Sequence, residues 1–226
     1  MKSKYSNLFA AKAVLSIVLL SILAISCQPS DTAEHTETLY AYEVDVAAES
    51  YSAGVLRYME AELFKGNRLH SKTYYNDDQS IKGVEIYKYE DQDSLPESST
   101  YFGPDDKVLA HYTFINKDGH QVQRNGYDGN SDELLRQERY QYDTAGNRIK
   151  KILFDSQDQL QKTYLFAHDQ YGNEKEVTIV DAADRLLVKE EFEISFVDEK
   201  NRWVEKWGFV QGDKFPKTFY KQSFSK

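Results

Sequence analysis

The sequence predicts an all-β protein, an antiparallel β-meander of about 12–14 strands. Three observations predict it. Alternating apolar and polar runs recur from Phe64 to Phe215, each closed by a cluster of Asp, Asn and Gly. Successive clusters lie ~11 to 16 residues apart, which leaves about six to ten residues for each strand. Connections this short join antiparallel neighbours, because parallel strands need crossovers of about a dozen residues or more. The phrase is clearest in YQYDTAGNRIKKILF, Tyr140 to Phe154, where an Asp and a Gly-Asn pair separate two alternating runs.

The chain begins with a segment carrying Lys2, Lys4 and Lys12, followed by an apolar run from Ala13 to Ile25. Thirteen residues are too few for a membrane-spanning helix, which needs ~18 or more, so residues 1–26 read as a signal peptide. Leu23-Ala24-Ile25-Ser26-Cys27 resembles the lipobox of bacterial lipoproteins. The resemblance implies that Cys27 is the lipid attachment site and first mature residue, with acyl chains as the membrane partner. Each buried CH₂ of those chains is worth ~0.8 kcal/mol. Gln28 at the next position implies outer-membrane delivery, on the periplasmic or the cell-surface face. Cys27 is the only cysteine, so no intramolecular disulfide forms.

Residues 1–26 hold three lysines and no acid, so the chain from Cys27 onward carries a formal −12 against −9 for the whole. Neutralising phosphates needs Lys and Arg in excess, and this balance excludes nucleic acid as a partner. After Cys27, the stretch QPSDTAEHTET lacks any large apolar residue, so residues 27–38 are expected to be a lipidated cysteine and flexible tether. Residues 39–226 are expected to form a single β-meander domain.

In that domain Tyr40, Tyr42, Val44 and Val46 alternate as in a strand. Residues 52–64 admit two readings. Val55, Met59 and Leu63 fall four apart, as on a helix capped by Gly66, yet the same stretch also reads with period two. A strand from about Arg57 to Phe64 is the expectation. From there twelve turn clusters follow, from KGN at 65–67 through DTAGN at 143–147 and DQYGN at 169–173 to QGDK at 211–214. Gly, Asn and Asp tolerate the positive φ of tight hairpins. Between turns the faces separate: Leu186, Val188, Phe192, Ile194 and Phe196 lie opposite Lys189, Glu191, Glu193 and Ser195. An apolar face must be buried, by a curled sheet or two-layer packing, with a closed sheet also left open.

Tyr142-Asp143 with Gly146-Asn147-Arg148-Ile149, Asp169 with Tyr171-Gly172-Asn173, and the looser Asp198-Glu199-Lys200-Asn201-Arg202-Trp203 resemble the YD repeats of RHS-type proteins. In that family such repeats build long sheets that wind into shells. The resemblance therefore implies strand-and-turn architecture and carries no activity.

No catalytic motif is present, and no cofactor is implied. His35, His70, His111, His120 and His168 are scattered without metal-ligand spacing. Asp128, Asn130 and Asp132 copy the opening of a calcium loop, but Glu133 replaces its glycine and Arg139 its bidentate glutamate, so no metal site is assigned. Aromatic residues make up 14% of the chain, and Trp203, Trp207 and Phe209 fall on one face of a strand. They are the candidate ligand-binding residues, with core packing as the competing reading. The expected function is a lipid-anchored, non-catalytic binding module for a glycan, a peptide or an envelope protein. A structural envelope lipoprotein and a carboxylate-dependent hydrolase are the alternatives. A transmembrane barrel is disfavoured by Lys150, Lys151, Glu190, Glu191 and Lys206, which place charge on both faces of their strands.

Overall fold

The computed structural model describes residues 33–47, 50–90 and 93–225, and every regular element in them is a strand. The signal segment, Cys27 and the first part of the expected tether lie outside the described residues. Strands β1 (Glu34–Ala47) and β2 (Ser50–Lys65) form a long hairpin, followed by β3 (Arg68–Tyr75), β4 (Ile81–Lys88) and β5 (Ser98–Phe102). Next come β6 (Val108–Lys117), β7 (His120–Asp128), β8 (Leu134–Tyr142), β9 (Arg148–Asp155) and β10 (Leu160–His168). The series ends with β11 (Glu174–Asp181), β12 (Leu186–Val197), β13 (Trp203–Val210) and β14 (Thr218–Ser225). All pairings are antiparallel between neighbours in sequence, and β1 also pairs with β14, from Thr36↔Ser225 to Glu43↔Thr218. The meander is therefore a closed barrel of fourteen strands, rather than an open curled sheet or a two-layer packing.

Two boundaries differ from expectation. β1 starts at Glu34, inside the stretch read as tether, because Glu34–Thr38 is paired to β2 and Thr36–Thr38 also to β14. Ladder hydrogen bonds on both sides hold a segment that has no apolar side chain to bury. Residues 52–64 belong wholly to β2, so the strand reading holds there and extends back to Ser50.

The turns share one device. In residues 143–147 the Asp143 carboxylate accepts the N–H groups of Ala145 and Asn147, Gly146 N–H donates to the Asp143 carbonyl, and Gly146 adopts φ +89°. This is a type I turn closed by a left-handed residue, a common three-residue hairpin loop. Asp155, Asp169, Asp181 and Asp198 cap their turns in the same way. Along one rim the turns also touch one another. Asn173 donates to the Asn201 carbonyl and accepts from Trp203 N–H, and Arg202 of the next turn reaches Glu37 on β1 at 3.4 Å.

Register fixes the two faces of the wall, since paired residues point the same way. Glu85 pairs with Lys72 and Tyr101, and the face they define carries Arg124, Glu138, Tyr140, Lys151 and Lys206 around the ring. That face is the concave one. Glu85 on β4 and Arg124 on β7 sit three strands apart, ~14 Å on a flat sheet, yet Arg124 Nη2 lies 2.9 Å from Glu85 Oε1. The lumen thus holds the buried polar residues Glu85, Ser99 and Lys206, while Ile86, Ile115 and Leu165 face outward and are exposed.

Nor is the inner face uniformly apolar. From β10 to β12 it presents Phe166, Val177, Ile179, Val188 and Phe192, and from β2 to β9 it is dominated by tyrosine and charge. A barrel of eight strands is filled by its own side chains and porins of sixteen or more leave an aqueous channel. Fourteen strands stand between these.

Candidate functional site

The most enclosed chemistry lies on the polar half of the lumen. Glu85 is 1% exposed and sits in the middle of β4. Both its oxygens accept: Ser99 Oγ and Arg124 Nη2 donate to Oε1, and Tyr74 Oη donates to Oε2 at 3.1 Å. Arg124 stacks its guanidinium 3.8 Å from the centroid of Tyr112, and its Nε is buried with no hydrogen-bond partner among the described residues. A buried charge is tolerated when it is paired and hydrogen-bonded, which this arrangement supplies.

Beside this pair opens a pocket of about 220 Å³. Tyr58, Tyr74, Tyr101 and Tyr112 line it together with Lys82, Glu85, Arg124 and Arg136. Arg136 Nη2 donates to Tyr112 Oη at 3.4 Å, and its Nε lies 3.7 Å from Glu138. Burial and the neighbouring Glu85 push the Tyr74 hydroxyl well above its ordinary value, so it stays a protonated donor. Two mid-strand glycines make room for the rings. A Cβ on Gly83 would collide with the Tyr101 hydroxyl, and one on Gly126 would come within 3.0 Å of the Tyr112 ring. Glycine inside a strand commonly marks such a close approach.

A second inward cluster surrounds Lys206, 5% exposed. Its Nζ stands 3.9 Å from the Phe192 ring centroid, 4.6 Å from Trp203 and 5.3 Å from Tyr220, with Glu174 at 3.5 Å. Burial lowers the Lys206 pKa against the pull of Glu174, and burial raises that of Glu190 nearby. The Tyr220 hydroxyl is pushed up to about 12, by burial and then by Glu190. A side chain of the protein already occupies this aromatic cage.

The structure does not bring Trp203, Trp207 and Phe209 onto one face. The register between β12 and β13 shifts between Phe196/Val197, so an extra residue, Val204, lies between Glu205 and Trp203. A one-residue slip turns a side chain to the other face, which puts Trp203 under Lys206 in the lumen. Trp207 and Phe209 point outward and are packed. Tyr51 from the long β1–β2 hairpin lies 4.8 Å from Trp207 and 6.4 Å from Phe209, and Phe219 lies 4.4 Å from Trp207. With Phe215, 6.5 Å from Tyr51, they form a small satellite core. Asp128, of the calcium-like stretch, turns its carboxylate onto the N–H groups of Asn130 and Ser131, and Asp132 pairs with His111 at 2.6 Å.

Sequence reading passed over Glu85, Arg124, Lys82, Arg136 and the four pocket tyrosines. Charges alternating along a strand read as its solvent face, and in this barrel the polar side of β4 to β8 is the inside. The signal available was the pair of glycines, Gly83 and Gly126, in the interiors of β4 and β7.

No family model matches the chain, and no curated protein matches it. Among solved structures it is similar to a porin-like protein from Bacteroides uniformis ATCC 8492, with 8% identity and a TM-score of 0.45 over 87% of this chain and 97% of that one. It is also similar to TcdB2-TccC3-TEV, with 9% identity and a TM-score of 0.31, over 81% of this chain and 11% of that one. A LolA superfamily protein from Nitrosomonas europaea matches with 7% identity and a TM-score of 0.29, over 88% of this chain and 87% of that one.

Proposed function

We propose that the protein is a lipid-anchored component of the bacterial envelope, tethered through Cys27 to the outer membrane, whose barrel is a non-catalytic binding module. Its ligand is a small polar molecule held on the inner wall. The observation that carries this reading is the pocket between β2 and β8, where four tyrosines converge with Lys82, Arg124 and Arg136 around the hydrogen-bonded Glu85. Convergent polar groups in a concave site are the usual mark of a ligand position. The alternating hairpins are read as YD-type repeats, which is supported by the shared capping chemistry of Asp143 and Asp169.

The barrel is read as standing outside the bilayer rather than spanning it. Of the five charges that argued against a membrane pore, Lys151, Glu190 and Lys206 face the lumen and no longer count. Lys150 and Glu191 remain outside, joined by Arg139 and by the ladder in which Lys189 meets Glu176 at 3.1 Å and Glu191 at 3.4 Å. Lys or Arg on a lipid-facing midplane costs ~2–4 kcal/mol each.

Two measurements test the proposal. Thermal denaturation of the full-length protein in detergent, screened against a library of small polar metabolites, is expected to show at least one ligand that raises Tm and loses its effect on Arg136→Ala. A library with no such ligand sinks the binding reading. Palmitate labelling of producing cells is expected to mark the wild type and not Cys27→Ser, and equal labelling of both rules out the anchor.

A further inference from the structure

Lumen charge in the pocket is unbalanced, and the imbalance has a sign. Lys82, Arg124 and Arg136 face a single lining carboxylate, Glu85. Glu85 is already paired with Arg124 and also accepts from Ser99 and Tyr74. Arg136 is partly balanced by Glu138 at 3.7 Å. Lys82 has no acidic partner among the described residues. A chain with formal charge −9 therefore keeps a cationic recess inside its wall. Fields of one sign are focused in a concave site with low-dielectric walls, so the recess favours an anion over a neutral molecule.

The rest of the lining limits what kind of anion fits. Tyr58 and Tyr74 are tied through their hydroxyls to Glu60 and Glu85, which fixes their rings. Tyr101 stands edge-on to Tyr74 at 5.7 Å, over Gly83, and its hydroxyl has no hydrogen-bond partner among the described residues. Rigid rings with a polar tip offer both an apolar face and a hydrogen-bonding edge. That combination suits a saturated ring with C–H faces and hydroxyl groups. Arg124 and Arg136 both lie against the Tyr112 ring, 3.8 Å and 5.8 Å from its centroid, so the cationic side of the pocket borders an aromatic face. At about 220 Å³ the pocket is smaller than the ~300–1,000 Å³ of sites for drug-sized ligands, so it holds one such ring.

We propose that the luminal pocket binds a monosaccharide carrying a carboxylate, with Lys82 and Arg136 taking the carboxylate and Tyr101 a ring hydroxyl. This rests on the luminal-binding reading above and adds the ligand class to it.

The test is isothermal titration calorimetry on the full-length protein in detergent, with D-glucuronate, D-glucose and inorganic phosphate as three separate probes. Glucuronate is expected to bind at least about tenfold tighter than glucose, the worth of a hydrogen bond to a charged group. That preference should shrink about tenfold in Lys82→Met, an exposed residue whose replacement leaves the Glu85–Arg124 pair intact, with an unchanged melting temperature as the folding check. Equal affinity for glucose, tighter binding of phosphate, or a preference unaffected in Lys82→Met overturns the acidic-sugar assignment. If glucuronate is silent while a neutral metabolite raises Tm, the assignment falls and the binding module stands. If no probe and no metabolite binds, both fall.

Discussion

Glu85 holds three donors from three different strands, so its removal is felt well beyond one contact. Replacing it with Leu takes from the half-buried Arg124 its hydrogen-bonded acid and leaves Glu138 as its acidic neighbour, a loss at or below the about 3–5 kcal/mol of breaking a fully buried pair. Arg124→Met alone should cost somewhat less, since Ser99 and Tyr74 still donate to the carboxylate. The double variant Glu85→Leu with Arg124→Met is expected to recover most of the loss, because apolar residues often replace a buried pair without penalty. Urea denaturation midpoints of the four proteins check this, and a double variant as unstable as the sum of the singles would show that the pair is not one unit. The sequence pattern does not reveal these residues, for a physical reason. A strand pattern separates two faces but does not say which faces inward, and the assumption that the apolar face is inside fails between β4 and β8.

At the scale of turns and strands the sequence was most readable. Asp143, Gly146 and Asn147 carry their conformation in their chemistry: a short acceptor, a residue free to adopt positive φ and a second polar side chain. The β1–β2 junction, where the sequence runs Ala47-Ala48-Glu49-Ser50, has no such signal and was missed. The shift that turned Trp203 inward was equally silent, because a bulge changes register without changing the local pattern. The turn aspartates also predict a response to acid. Asn147 and its N–H hold the Asp143 carboxyl below the usual range, and Arg185 does the same for Asp181. Such groups stabilise the fold fully above the unfolded pKa, ~3.9, and lose that contribution as pH falls through the lower folded value. Glu190 runs the other way, its raised folded pKa favouring the protonated form. Melting temperature followed by circular dichroism is expected to hold nearly constant from pH 7 to about 5 and to fall below about 4. A transition that instead weakened near pH 6 would mean that histidine, not the turn carboxylates, controls the acid limit.

On the scale of the whole molecule, the strand type and approximate count were legible while closure was not. Every turn cluster reports a neighbour pairing, and none reports that the first strand meets the last. That one seam, Thr36–Glu43 against Thr218–Ser225, removes both edges of the sheet. Deleting residues 218–226 is therefore expected to expose β1 and β13 and to add larger species to those the full chain forms, since unpaired edges recruit other chains. Size-exclusion chromatography with light scattering decides it, and a monodisperse monomer of the truncated chain would show that the ring holds without its seam.

The seam also sets a clock. Every other pairing joins strands that follow each other in the chain, so most of the wall can zip up locally and quickly, whereas Thr36 must find Ser225 across 189 positions. The strand that leaves the ribosome among the first is the last to be satisfied on both sides. During synthesis β1 waits with one open edge until the C-terminus arrives, and that interval is when a chaperone, or an identical chain in the same state, has its one chance to pair with it.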